Sequence, residues 1–213
     1  MADKHVHYFA LEKACVHSGC PLCQIVDERI KKYIDNMLFE HVSDRGFRKQ
    51  FRESGGFCNE HSRNLDSFRD GLAVAILSKD VLENAMPSLI KHKVPHYREK
   101  CPACSERDRI ENEFLSFLCE LSPNQNESDD KLISLFEKSD GLCFVHFKQL
   151  VSSVKKIPKW LFDFHIDKYN SLMERTGQFI EFSAWGRQAD FSKLSENDKK
   201  VWQEVSKKIR GDL

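Results

Sequence analysis

The chain has 213 residues and a mass of 24.9 kDa, enough for one large domain or two small ones sharing a core. Its formal net charge is zero, from 33 basic and 33 acidic side chains, so no global field draws it to nucleic acid or an anionic membrane. No window of about 18 uncharged apolar residues occurs, and the opening Met1-Ala2-Asp3-Lys4-His5 lacks a signal-peptide core, which predicts a soluble, cytoplasmic protein with no membrane partner.

From Leu22, the apolar residues Ile25, Val26, Ile30, Tyr33, Ile34, Met37 and Leu38 recur every three to four positions, predicting a helix that ends near His41. A short segment follows with Phe47 and Phe51 four apart. After Gly55-Gly56 the pattern predicts a long helix carrying Phe57, His61, Leu65, Phe68, Leu72 and Ile76, kinked at Pro87 and ended before Pro95. The next stretch repeats this order. Ile110, Phe114, Phe117, Leu118 and Leu121 share one face, a polar break runs from Ser122 to Asp130, and Leu132 and Phe136 come after it. Trp160, Leu161, Phe164, Leu172, Met173, Phe179 and Ile180 predict another amphipathic helix with Pro158 near its start, and residues 196–209 a last one. Runs of alternating Val, Ile and Thr are missing, so the expected fold is mostly α. It consists of two pseudo-repeated helical hairpins, residues 1–95 and 96–157, with a C-terminal helical segment, 158–213, packing on them.

One pattern occurs twice. Cys20-Pro21-Leu22-Cys23 precedes Gly56-Phe57-Cys58-Asn59-Glu60-His61, and Cys101-Pro102-Ala103-Cys104 precedes Gly141-Leu142-Cys143-Phe144-Val145-His146. Around the third cysteines, Phe51 aligns with Phe136, Ser54 with Ser139, Gly56 with Gly141 and Leu65 with Leu150. The copies are offset by 81 positions at the first cysteine and 85 at the third, the excess lying near Pro123 to Ser128, where a loop tolerates insertion.

Each copy supplies three thiols and one imidazole, the donor set of a closed tetrahedral zinc site with no open position for chemistry. In each CPxC pair the first cysteine sits at a helix cap and the proline takes the first helical position, where its missing N–H costs nothing. Both sulfurs then converge where unpaired backbone N–H groups favour thiolate. The CxxH pair does the same at the next helix start. The expectation is two Zn²⁺ ions, one per copy: Cys20, Cys23, Cys58 and His61 hold the first, and Cys101, Cys104, Cys143 and His146 the second. Each ion would pin the elbow of its own hairpin. An iron–sulfur cluster is the alternative cofactor, and thiol–disulfide exchange a further reading of CPxC, although that motif expects a βαβ context that the pattern lacks.

Eight cysteines without an export signal read as metal ligands or free thiols rather than disulfides. Cys119, in Phe117-Leu118-Cys119, is expected to be a buried thiol, while Cys15 lies close enough to the first motif to serve as a spare ligand. His5, His7, His17, His41, His92, His96 and His165 lack repeat symmetry and default to surface or cap roles. Arg45, Arg48, Lys49 and Arg52 form a basic cluster without a counterpart in the second copy, and Lys91 to Lys100 read as a solvated basic connector.

With these motifs in view, the chain resembles an uncharacterised prokaryotic family of unknown function built from two CPxC…GFCxxH halves. The resemblance spans Cys20 to Gly186, including the stretch from Phe179 to Trp185-Gly186, and its eight motif positions fall on the eight donors just named. The second copy departs from it with Leu142 in place of the aromatic. The resemblance implies the metal sites and the helical fold but no activity. No nucleophile, carboxylate dyad or phosphate loop can be placed, so the function expected is a non-enzymatic, zinc-stabilised module that presents a surface to a protein partner. A metal-dependent or redox-responsive enzyme is the alternative, and nucleic-acid binding is disfavoured.

Overall fold

The computed structural model describes residues 2–63, 65–68, 70–184 and 188–211. Trp185 and Gly186, part of the family resemblance, lie outside them. Every regular element among the described residues is helical, as the missing strand signals require. The chain packs as two units, Met1–Ile25 with Glu111–Leu213, and Val26–Ile110. Packing is therefore not divided at residues 95 and 157, and the first motif copy does not form a unit of its own.

Unit 1 contains α1 (Ala2–Cys15), the opening of α2 (Pro21–Asn36), the end of α6 (Pro102–Glu120), α7 (Glu127–Lys138), α8 (Phe144–Ser153), α9 (Lys159–Phe182), α10 (Gln188–Phe191) and α11 (Val201–Arg210). Its core forms around α7. Asn126 caps that helix by accepting from the Asp129 N–H at 2.8 Å, and Glu127, Asp129 and Asp130 place negative charge in its first turn. Leu132 and Phe136 on its inner face are 0 % exposed. The Phe136 ring lies 6.1 Å from Trp160 and 5.7 Å from Phe164 of α9, within the range of favourable aromatic pairs. Helix α1 packs on α7 with Leu11, Ala14 and Cys15 buried, and α11 packs on α8 and α9. The sequence pattern did not reveal α1, because its few apolar positions make no extended stripe.

Unit 2 holds the rest of α2, a π-helical turn at Met37–His41, α3 (Arg45–Glu53), α4 (Asn59–Ser62), a 3₁₀ turn at Leu65–Ser67, α5 (Gly71–Leu89) and the start of α6. Asp44 caps α3 through the Phe47 N–H at 2.8 Å. The basic cluster on α3 has a structural task. Arg48 donates two hydrogen bonds to Asp80 of α5, at 2.6 and 2.7 Å, and Arg52 approaches the same carboxylate at 3.4 Å. Asp80 is 3 % exposed, and these partners hold its carboxyl below the usual carboxylate range.

Three expectations need correction. The single long helix after Gly55-Gly56 is broken into α4, the 3₁₀ turn and α5, because Asp70 caps a new helix by accepting from Ala73 N–H at 2.9 Å. Leu72, expected on the inner face, is 74 % exposed. On α9, Met173 and Ile180 face outward, whereas His165 is 1 % exposed in the core.

Candidate metal centres

Eight donors assemble into two groups of four, with all ligand atoms of a group within 4.8 Å of one another. The first group is Cys20, Cys23, Cys143 and His146. The second is Cys58, His61, Cys101 and Cys104. This corrects the expected pairing: each CPxC pair meets the CxxH pair of the other motif copy.

In each copy the helix opened by the CPxC pair is longer than the one that follows it: α2 has 16 residues against nine in α3, and α6 has 19 against 12 in α7. Gly55 and Gly56 turn the chain between α3 and Cys58 at φ +73° and +81°.

Local geometry at the donors follows the motif. Pro21 and Pro102 open α2 and α6 as first helical residues, and the carbonyls of Cys20 and Cys101 accept from Gln24 N–H and Ser105 N–H at 3.2 and 3.0 Å. Cys58 and Cys143 cap α4 and α8 with nearly equal angles, φ −70°, ψ 171° and φ −69°, ψ 167°. Ser54 and Ser139 donate to the carbonyls of Phe51 and Phe136 at 2.8 and 2.6 Å. A left-handed glycine precedes each knuckle, Gly56 at φ +81° and Gly141 at φ +66°, a conformation that costs L side chains strain.

In the first cluster the His146 Nδ1 lies 3.4, 3.5 and 3.3 Å from the sulfurs of Cys20, Cys23 and Cys143, and the Cys23 and Cys143 sulfurs are 3.7 Å apart. In the second, His61 Nδ1 lies 3.3, 3.6 and 3.5 Å from Cys58, Cys101 and Cys104, with Cys58 and Cys104 sulfurs 3.6 Å apart. A tetrahedral ion with Zn–S near 2.3 Å and Zn–N near 2.0–2.1 Å requires edges of about 3.8 Å between sulfurs and about 3.5 Å from sulfur to nitrogen. The residues present fit one such ion in each cluster.

The first cluster consists of donors too crowded to ionise independently. Hydrogen bonds with Cys143 and then Cys20 push the Cys23 thiol up, and hydrogen bonds from Cys20 and Cys23 push Cys143 down. Burial opposes charge on His146, yet its bonds to Cys143, Cys20 and Glu111 raise it to about 11. A bound cation would displace these shared protons. In the second cluster burial holds His61 below the ordinary histidine range, and burial with the neighbouring thiols raises Cys104 to about 12.

The surroundings differ too. His146 Nε2 faces the buried carboxylate of Glu111 at 3.4 Å, the kind of partner that fixes a ligand imidazole's orientation. Around Cys143 the backbone is held at four points. Lys168 donates to the Ser139 carbonyl at 2.7 Å, Lys208 to the Asp140 carbonyl, Tyr169 to the Leu142 carbonyl at 3.0 Å, and Leu142 N–H donates to His165 Nε2 at 2.9 Å. The His165 Nδ1–H points to the Leu161 carbonyl at 2.7 Å, and burial lowers this histidine to about 4, so it stays neutral. At Gly211 a Cβ would stand 3.4 and 3.5 Å from the Cys23 and Cys143 sulfurs, so the end of α11 closes on the cluster. A cavity of about 800 Å³ between α9 and α11 reaches Cys20 and Cys143, but those residues remain 2 % and 1 % exposed.

Sequence reasoning missed His165, Tyr169, Lys208 and Gly211; only the glycine directly after the last helix was a usable signal. Cys15 is no ligand: it is 7 % exposed, bonds Ser139, and burial raises it to about 12. Cys119 is half-buried, and burial raises it to about 11.

Residues 9–96 match DUF6062, a family of unknown function. The DUF6062 match contains Cys20, Cys23, Cys58 and His61, hence two donors of each cluster. The chain is also 27 % identical over 169 residues to the "Uncharacterized 23.9 kDa protein in xynA 3'region" of Caldicellulosiruptor sp. (strain Rt8B.4), covering 73 % of this chain and 79 % of that protein. No solved structure matches.

Proposed function

We propose that the protein holds two Zn²⁺ ions, one in each Cys₃His cluster, as closed structural sites, and that it works as a cytoplasmic, zinc-stapled helical module for a protein partner. The observation that carries the zinc reading is the set of donor separations, which lie close to the edges of a single-ion tetrahedron in both clusters. The same separations argue against an iron–sulfur cluster, whose ligands sit on different irons and so stand farther apart. Four protein donors leave no place for substrate, which supports a structural role over a catalytic one. The crossed donor sets also support an internal repeat whose copies complete each other's sites.

The partner reading has support on α5 and its C-cap, where Leu82, Met86, Leu89 and the capping Ile90 are 60, 45, 48 and 71 % exposed at spacings that share one helical face. Nucleic acid is a poorer fit, because Arg48 and Arg52 are engaged with Asp80 and the net charge is zero. No helix among the described residues is long and apolar enough to cross a membrane. The deciding experiment measures metal content by mass spectrometry and then follows helicity during chelation. Two zinc equivalents whose removal collapses the helical signal support the proposal. A fully helical, metal-free protein would overturn it.

A further inference from the structure

Resting on that zinc reading, we infer that the two centres are chemically unequal: the second is an oxidation-sensitive thiol site that releases its ion as Cys58 and Cys104 join in a disulfide, and the first is the more resistant. All four donors of the first cluster are buried, whereas Cys58 and Cys104 of the second are both partly open to solvent. The sulfurs of these two half-buried residues are 3.6 Å apart and come from segments 46 residues apart, α6 and the start of α4. The third thiol of that cluster, Cys101, is 7 % exposed.

Support around the centres follows the same division. The first has the Glu111 carboxylate behind its imidazole, the end of α11 against two sulfurs and four bonds on the backbone before Cys143. Near the second, the corresponding backbone receives Arg98 N–H at the Glu53 carbonyl and the Asn84 amide at the Arg52 carbonyl, at 3.2 and 3.1 Å, both on the residues before Ser54 and not at the knuckle. The Glu60–Arg107 pair beside it, at 3.2 Å, has a largely exposed carboxylate. Local opening and reagent access are thus easier at the second centre.

The oxidant is a small peroxide. Hydrogen peroxide takes two electrons from the zinc-bound sulfurs of Cys58 and Cys104. Their S–S bond forms, the O–O bond breaks, two protons from solvent complete two waters, and the Zn²⁺ departs because two of its four donors are gone. Reductant and fresh zinc restore the site.

The test treats the zinc-loaded full chain with hydrogen peroxide, reads released zinc with a chromophoric indicator, and maps disulfides by non-reducing digestion and mass spectrometry. Expected is release of one equivalent on the order of tenfold faster than the other, with a Cys58–Cys104 crosslink. Cys58→Ser should abolish the fast phase and leave a single, resistant ion. Equal release of both ions overturns the inference, as does a first crosslink among Cys20, Cys23 and Cys143. A starting zinc content near zero would instead defeat the underlying zinc reading, so the two failures are distinguishable.

Discussion

The crossed pairing of donors makes a quantitative prediction about double substitutions. Cys20 and Cys143 lie 123 positions apart in sequence yet belong to one group of four, whereas Cys20 and Cys58 lie in different groups. The double variant Cys20→Ser with Cys143→Ser therefore damages one centre and should retain one zinc of two. The variant Cys20→Ser with Cys58→Ser damages both and should retain none. Apparent zinc binding in small structural sites amounts to about 10–16 kcal/mol, comparable with the whole stability of a domain at about 5–15 kcal/mol. Consequently the first variant should lose the cooperative melting of one unit and keep that of the other. The assay is zinc per chain after exhaustive dialysis against a competing chelator, with circular dichroism melting on the same samples. Retention of one zinc by the Cys20/Cys58 variant and none by the Cys20/Cys143 variant would restore the sequence-adjacent pairing and refute the crossed donor sets.

Phe136→Ala removes a fully buried ring from between α7 and α9 and should cost about 3–5 kcal/mol in denaturant titration; a loss under about 1 kcal/mol would show that this core is not continuous. Asp80→Ala leaves Arg48 and Arg52 without the carboxylate they share and should cost about 1–3 kcal/mol, at the lower end if Arg48 turns to water. Because the Asp80 carboxyl is depressed when folded, its contribution is present above its ordinary value of 3.8 and fades as pH falls below that. His165 is kept neutral at about 4 against an ordinary 6.5, so the folded state takes up its proton later than the unfolded chain and the histidine's contribution is complete above pH 6.5. The stability advantage of the wild type over His165→Leu should shrink by about 2 kcal/mol between pH 7.5 and pH 5. An advantage that stays constant would mean the ring is not held neutral in the core.

Much of the local structure could be read from residue spacing. Leu22, Ile25, Val26, Ile30, Ile34, Met37 and Leu38 are all buried on α2 and its π turn, as their periodicity requires. Pro158 stands at the start of α9, and the last helix, Val201–Arg210, overlaps the expected 196–209 and ends one residue beyond it. Other local features were misjudged because the competing signal was weaker or polar. Asp70 stops one helix and starts another, and its side chain outweighed an apolar pattern that continued through Leu72. His165 carries no pattern at all, and only the approach of Leu142 N–H and the Leu161 carbonyl makes a buried imidazole satisfied.

Spacing within a motif acts over three or four residues, so the sequence alone determined that Cys20 faces Cys23, that Cys58 faces His61, and that each pair opens a helix. Which pairs share an ion is a matter of partners 120 and more positions apart for one cluster. That was decided by tertiary structure, because periodicity reaches only one or two helical turns and the donors of each group are brought together by packing between distant segments. The same packing buries all four donors of one cluster, with Gly211 after α11 against two of its sulfurs, and leaves Cys58 and Cys104 of the other only half-buried.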